Sequence, residues 1–456
     1  MRKIGKIIKI LFLVWLVCLI LTCLLIPLLQ KAKPDRPFEG RASRFNSERV
    51  RCIDDNQEAM ERRLQLIESA QKELALSTYY LGDDDAGKDI MAALAAASGR
   101  GVKVQILVDG FCEYLNLRHS DSFYALADCP NTEIRIYNPV SILFPAKNNY
   151  RLHDKYLIAD DCTYILGGRN TRSKSIGSYP GKQDIDRDVL VRNDGADGSI
   201  MELKDYFRTV WNGPDSKPVK KGKGTEEAGK QLLQRYEMLK KENPDTFQVP
   251  DFNAITIPAK SVHLLANPVN AGNKAPLLWT QMMELMKNSS DVQIVTPYII
   301  LSRQMYDDLQ QVTAHAQVKI LTNAPESGAN PSGCADLLNQ KKRILRTGLE
   351  LCEYAGEKSA HTKTVLIDDN LSLIGSFNFD MRSAYLDTEL MLAIDCPELN
   401  HYLREENDRK LRSSRCTAPD GTVTYGEKYD CPPMPAGKSI VYGLLRLLTL
   451  PIRHLL

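Results

Sequence analysis

The sequence predicts an α/β protein of two similar lobes, each a mixed β-sheet flanked by helices, with one active site at the lobe interface and an N-terminal transmembrane helix. Three observations predict it: an internal duplication, an alternation of strand-like and helix-like segments in each copy, and one uncharged apolar run near the start. The chain has 456 residues, enough for two ordinary domains. Its 43% hydrophobic and 25% charged residues are what a folded protein with a sizeable core carries.

The duplication dictates the architecture. VKVQILVDG (102–110), TEIRIYNP (132–139) and RLHDKYLIADDCTYILGGRN (151–170) form the first copy. AQVKILTNA (316–324), GLELCEYAG (348–356) and SAHTKTVLIDDNLSLIGSFN (359–378) form the second. Asp160 follows His153 by seven residues, as Asp368 follows His361; Asn170 and Asn378 each follow their histidine by seventeen. Each copy also has an amphipathic segment, an apolar strand, a helical stretch and a further β-rich run. Strands alternating with helices indicate a layered sheet in each lobe. Residues 153–159 and 361–367 read as strands, which would put each histidine and the lysine two residues on upon one face.

Residues 10–29 contain no charge and, at about 1.5 Å per residue, would span a bilayer's hydrocarbon core. The following LIPLLQKAKP is a poor cleavage site, so an uncleaved single-pass anchor over 1–32 is expected. Arg2, Lys3, Lys6 and Lys9 favour an inside N-terminus and an extracytoplasmic catalytic domain; Lys31, Lys33, Arg36 and Arg41 weigh the other way. Nine of eleven cysteines lie beyond the anchor, and Cys112/Cys129 and Cys416/Cys431 are sequence-near pairs that could close loops in an oxidising exterior. Buried free thiols are the alternative.

The expected division is an anchor (1–32), a first lobe (45–215), a charged linker (216–254), a second lobe (255–410) and a C-terminal extension (411–456). The linker reads as a solvated connector containing a charged helix. The apolar tail, 438–456, either lies on a bilayer surface or docks on the fold.

Two His/Lys pairs meeting across a pseudo-twofold axis suit a phosphodiester. Lys155 and Lys363 would bracket its charge as fixed donors, a task many enzymes give to Mg²⁺. Asn170 and Asn378 would add neutral hydrogen bonds. One histidine can attack phosphorus; the other can protonate the leaving oxygen and then deprotonate the incoming alcohol or water. A histidine nucleophile needs its tautomer set by a carboxylate. Asp188 and Glu389, near the starts of apolar strands after the asparagines, are the natural orienters. Asp160 and Asp368 sit at turn-like strand ends and are expected to be structural. His119, His263, His315, His401 and His454 have no such context. No H-E-x-x-H or paired C-x-x-C occurs, so neither a metal nor a cofactor is expected.

HDKYLIAD and HTKTVLID resemble the H-x-K-x₄-D signature of the phospholipase D superfamily, present twice. GGRN and GSFNFDMRS resemble the bacterial cardiolipin synthase branch. The resemblance covers roughly residues 45–215 and 255–410. It implies a two-lobed fold with one site and a ping-pong reaction through phosphohistidine, with His153 the nucleophile and His361 the acid/base. The implied partners are a lipid bilayer and an anionic phospholipid: a phosphatidyl group would pass from one phosphatidylglycerol to a second, releasing glycerol. Two departures stand out. Many relatives carry two N-terminal membrane segments, and the stretch after GGRN, TRSKSIGSYPG, is often more acidic and aromatic in them, which puts acceptor choice in doubt.

Two other functions compete. A hydrolase of phospholipid or single-stranded nucleic acid would use the same histidines with water, but a net charge of +2 and 7% aromatic residues disfavour a nucleic-acid groove. A non-catalytic lipid-binding protein is disfavoured by the intact His, Lys and Asn in both motifs.

Overall fold

The computed structural model describes residues 2–29, 48–193 and 197–456, with 2–8, 10–12 and 18 described by backbone alone. Each copy of the duplication supplies most of one nine-stranded mixed sheet, completed at the edges by strands from the stretches that follow it. The first runs, in spatial order, Ser216–Pro218, Thr132–Tyr137, Lys103–Asp109, Glu73–Thr78, Lys155–Ala159, Thr163–Gly167, Asp188–Asn193, Glu48–Ile53, Ile257–Pro258. The second runs Ser261–Ala266, Leu390–Asp395, Leu371–Gly375, Thr364–Ile367, Asp291–Val295, Gln317–Asn323, Glu350–Tyr354, Ser414–Thr417, Val423–Tyr425. In both, the strand after the H-x-K motif lies antiparallel to an earlier strand and to the following one: Thr78 faces Lys155, and Val295 faces Thr364.

Alternation along these strands sorts side chains between two layers. Leu157 and Ala159 join the core beneath the first lobe's helices, whereas Tyr156 and Ile158 enter a second core. Val365 and Ile367 likewise face the second lobe's helices, and Leu366 joins the same second core. That shared core also takes Tyr164, Val189, Val262, Ile374 and Leu392, so the two sheets pack against each other and the lobes form one body. The histidines themselves precede the strands, which begin at Lys155 and Thr364, so the same-face expectation from a strand period does not apply to them.

No helix among the described residues is long and apolar enough to cross a membrane. This overturns the expected single-pass anchor over 1–32, and with it the extracytoplasmic placement of the lobes. The helix Arg2–Leu29 instead ends on the protein body through polar contacts. Pro27 has no N–H to give the Cys23 carbonyl, and Asn149 Nδ2 donates to that oxygen at 3.0 Å. Asn273 Nδ2 donates to the Pro27 carbonyl at 2.6 Å, and His454 Nε2 lies 2.9 Å from the Leu24 carbonyl. Residues 30–32 of the expected anchor, the start of the expected first lobe at 45–47, and Lys31, Lys33, Arg36 and Arg41 lie outside the described residues.

The stretch expected to be a solvated connector carries the helix Glu226–Glu242, which buries Ala228, Leu232 and Tyr236 in the first lobe's outer core. Its Arg235 reaches Asp85 and Asp89. The C-terminal tail docks on the second lobe. Arg453 makes a bidentate pair with Asp336 at 2.6 and 3.0 Å, and Arg382 N–H donates to the Leu456 carbonyl at 3.2 Å.

Neither sequence-near cysteine pair is bonded: Cys112, Cys129 and Cys431 are free. The disulfide joins Cys352 to Cys416, 64 residues apart. These two face each other directly on adjacent antiparallel strands, a proximity that follows from sheet order and not from sequence distance. Glu350, Cys352 and Cys416 are the one group of metal-ligand types found together among the described residues, and both of its sulfurs are spent on the disulfide.

Candidate active site

A cavity of about 620 Å³ opens between the lobes and is lined by both histidines and both motif asparagines, with Tyr79, Tyr298 and several charged residues around them. Its walls come from equivalent segments of the two sheets. Each histidine is held by the lobe it does not belong to. His153 Nδ1 lies 2.8 Å from Glu389 Oε1, and His361 Nδ1 lies 2.6 Å from Asp186 Oδ2. The backbone repeats the exchange: Leu152 bridges Thr388, and Ile185 bridges Ala360. Thr388 N–H donates to the Arg151 carbonyl at 2.9 Å, and His361 N–H donates to the Ile185 carbonyl at 2.7 Å.

Asp186, and not the expected Asp188, is therefore the first-lobe carboxylate that meets a histidine. Asp188 is fully buried and occupied elsewhere: its Oδ2 is 2.8 Å from Arg63 Nη2, and Oδ1 accepts from Arg169 N–H at 3.3 Å. Sheet register explains the correction. Gly167 faces Asp188, whereas the equivalent Gly375 faces Met391, so Asp188 matches Met391 and Asp186 matches Glu389. Sequence reasoning missed Asp186 although DIDRD offers it on the same strand face as Asp188.

Small residues make room for these carboxylates. A Cβ on Gly168 would fall on the Asp186 carboxylate. At the equivalent place the second lobe has Ser376, whose hydroxyl donates to Glu389 Oε2, while Ser383 Oγ donates to Oε1 at 2.6 Å. Thr388 Oγ1 accepts from His153 N–H and donates to Asp154 Oδ1, whose other oxygen accepts from Tyr206. A residue inside the first H-x-K motif thus ties the lobes together.

Lys155 and Lys363 are buried, and each ammonium donates to the carbonyl of its own histidine. Lys363 Nζ also lies 2.7 Å from His361 Nδ1 and 3.9 Å from Asp186. Burial lowers the Lys155 ammonium to about 7, against the pull of Glu389; burial likewise brings Lys363 down. His153 is pushed well below an ordinary imidazole by burial and then by Lys155 and Lys363. His361 is lowered by burial and Lys363, with Asp186 working the other way. The carboxylates diverge. Burial drives Glu389 well up despite Lys155; the same burial at Asp186 is overcome by Lys363 and His361, which hold it well below the usual range.

Asn170 and Asn378 are buried and line the cavity, and their Oδ1 atoms are buried without a protein partner. Asp160 and Asp368 stand at the far ends of the motif strands, both at positive φ (53° and 45°). Asp160 accepts from the N–H groups of Gln71, Lys72 and Glu73, and Asp368 from those of Ser290 and Asp291. They cap the starts of neighbouring strands. Tyr79 lies edge-on to His153, with ring centroids 5.1 Å apart, and was not singled out from the sequence.

A family model described as cardiolipin synthase, phospholipase D-like domain, matches residues 64–211 and 282–411, one segment in each lobe. The chain belongs to the phospholipase D-like cardiolipin synthase family. Cardiolipin synthase C of Escherichia coli is 27% identical over 393 residues, covering 76% of this chain and 81% of that protein. Cardiolipin synthase B of the same organism is 25% identical over 361 residues, covering 78% of each. The crystal structure of phosphatidylserine synthase from Haemophilus influenzae superposes with a TM-score of 0.62 at 17% identity, covering 89% of this chain and 95% of that one. That last likeness concerns the fold. In this cardiolipin synthase-like chain, the two matched segments carry the two H-x-K motifs, and each brings the carboxylate that holds the other's histidine.

Proposed function

We propose that the chain is a phosphatidyltransferase of cardiolipin synthase type, moving a phosphatidyl group from one phosphatidylglycerol to another through a phosphohistidine. The observation that carries this reading is the reciprocal pair His153–Glu389 and His361–Asp186 across one cavity. Two carboxylate-held histidines in one cavity can divide nucleophile and acid/base roles. The buried lysines and cavity-lining asparagine amides offer donors to the oxygens where charge develops.

The electrostatics support His153 as nucleophile. Burial and two nearby lysines keep its ring neutral, leaving Nε2 a lone pair for phosphorus. His361 sits against a carboxylate held ionised, the arrangement that stabilises an imidazolium able to give up a proton. In the first half-reaction His153 Nε2 bonds to phosphorus, the bond from phosphorus to the glycerol oxygen breaks, and His361 protonates that oxygen. In the second, neutral His361 takes the proton of the incoming hydroxyl, its oxygen bonds to phosphorus, and the P–N bond breaks. Both histidines return to their starting states.

The test is lipid mass spectrometry after incubating the full chain with phosphatidylglycerol bilayers, beside His153→Ala. Cardiolipin and free glycerol in equal amounts, lost about 10³-fold or more in the variant, is the expected result. Phosphatidic acid as the sole product would replace the transferase reading with a hydrolase.

A further inference from the structure

The two lobes match residue for residue around the cavity, with one inversion of charge. Leu81 bridges Thr171 in the first lobe, and Ile299 pairs with Phe379 in the second, both in parallel. The next residues out are Arg172 and Asp380, and both line the cavity. Their neighbours correspond as well. Thr78 Oγ1 donates to the Tyr80 carbonyl at 3.2 Å, and Thr296 Oγ1 donates to the Tyr298 carbonyl at 3.1 Å. Arg172 spreads over the Tyr80 ring at 4.6 Å, while the Asp380 carboxylate accepts from the Ser383 N–H as the cap of the helix Met381–Tyr385. The same stage thus carries a cation on one wall and a carboxylate on the other.

The surroundings deepen the difference. Arg151, over the Phe111 ring at 4.2 Å on the first-lobe wall, is paired with Asp109 at 3.4 Å, and its counterpart two residues before His361 is Ser359. On the second-lobe wall, Arg382 is spent: it pairs with Asp387 at 2.9 Å and donates to the carbonyls of Asn149 and Leu455. A symmetric pair of motifs is enough to break and remake one phosphodiester. It does not need unlike walls.

We infer that the Arg172 wall is the subsite for a second, uncleaved phosphate, so that the site selects an anionic phospholipid as acceptor over a neutral alcohol. This rests on the transferase reading above. The lysines serve the reacting phosphate, so a second anion in the same cavity needs its own cation. Arg172 stands two residues past Asn170, hence within about 7 Å of it along the backbone. That is the reach of a short polyol bridge between two phosphates. Its guanidinium is held flat on Tyr80, which pre-orients the planar donors that phosphate takes.

The test is a competition in one mixture: phosphatidylglycerol vesicles with 1-propanol added, and the full chain as wild type, Arg172→Gln or Arg172→Lys. Both products form on the same vesicles, so any change in vesicle binding cancels in the ratio of cardiolipin to phosphatidylpropanol. Arg172→Gln should lower that ratio about ten- to a hundredfold, with Arg172→Lys, which keeps the charge and loses the planar fork, falling between wild type and Arg172→Gln. An unchanged ratio in Arg172→Gln overturns the subsite. Equal losses in both variants overturn it too, since they would assign the effect to stacking and not to charge. A wild type that forms neither product fails at the underlying reading and takes this inference with it.

Discussion

The first lobe makes room for its carboxylate, and the second lobe bonds to its own. Gly168 leaves space for Asp186, which then meets His361 and Lys363 without a hydroxyl donor from its own lobe. Ser376 and Ser383 each donate to Glu389, and burial still drives that carboxyl well up. A duplicated motif has thus been given two electrostatic settings: His153 beside a carboxyl that burial makes costly to ionise, and His361 beside one that is held ionised. The difference teaches how a nearly symmetric site can divide its labour. On the proposed mechanism, identical histidines take the roles of nucleophile and acid through what the opposite lobe sets behind them.

The comparison is broken most severely at the carboxylates. Asp186→Asn removes the partner of His361 and should lower turnover by about 10²–10⁴-fold while the fold holds. Asp188→Asn, two residues on, should do the reverse. It leaves Arg63 and Arg169 buried without their anion, costing about 3 kcal/mol in urea unfolding with activity largely kept per folded molecule. Equal kinetic losses in the two variants would remove the distinction between them.

A smaller effect separates the supports. Gly168→Ala puts a methyl group where the Asp186 carboxylate lies and should cost about a hundredfold in kcat. Ser376→Ala removes one of two hydroxyl donors to Glu389, a loss of about 1–2 kcal/mol or roughly tenfold. A Ser376→Ala loss larger than that of Gly168→Ala would reverse the ranking.

The smallest effect sharpens the division between the histidines. The proposed mechanism requires His153 neutral and His361 protonated. His153 is pushed further down than His361, so the productive pair prevails between their two values. Both lie below 6.5. As pH falls through the lower value His153 gains its proton, and as pH rises through the upper one His361 loses its own. The pH profile of kcat/KM, which reports the free enzyme, should peak on the acid side of 6.5 and decline as pH rises. A maximum above pH 8 contradicts this assignment.

Much of the site was legible because the duplication kept one offset from histidine to asparagine: 208 residues separate His153 from His361, and Asn170 from Asn378. The register then slips. Between Asp186 and Glu389 the offset falls to 203, because the first lobe's loop after the asparagine is five residues longer. Three aspartates alternate in DIDRD with one parity, so periodicity allows 184, 186 or 188, and the sheet pairing of Gly167 decides. The cross-lobe exchange was illegible for a related reason. A motif shows which residues travel together in sequence, whereas Glu389 serves a histidine 236 residues away. Cys352 and Cys416 were missed in the same way, since adjacency in a sheet is not adjacency in a chain. The docked C-terminal end of the Arg2–Leu29 helix hangs on single carbonyls freed or bonded by Pro27, Asn149 and Asn273, which no hydropathy pattern records.

The central claim, that His153 attacks phosphorus and His361 supplies and removes the proton, is tested most directly with phosphatidyl-p-nitrophenol. Its leaving group departs without a proton. Rapid mixing should show His361→Ala releasing p-nitrophenol in one burst stoichiometric with enzyme, leaving an alkali-stable phosphatidyl adduct on the peptide containing His153. His153→Ala should show no burst. A burst in His153→Ala with the adduct on His361, and none in His361→Ala, would contradict the account.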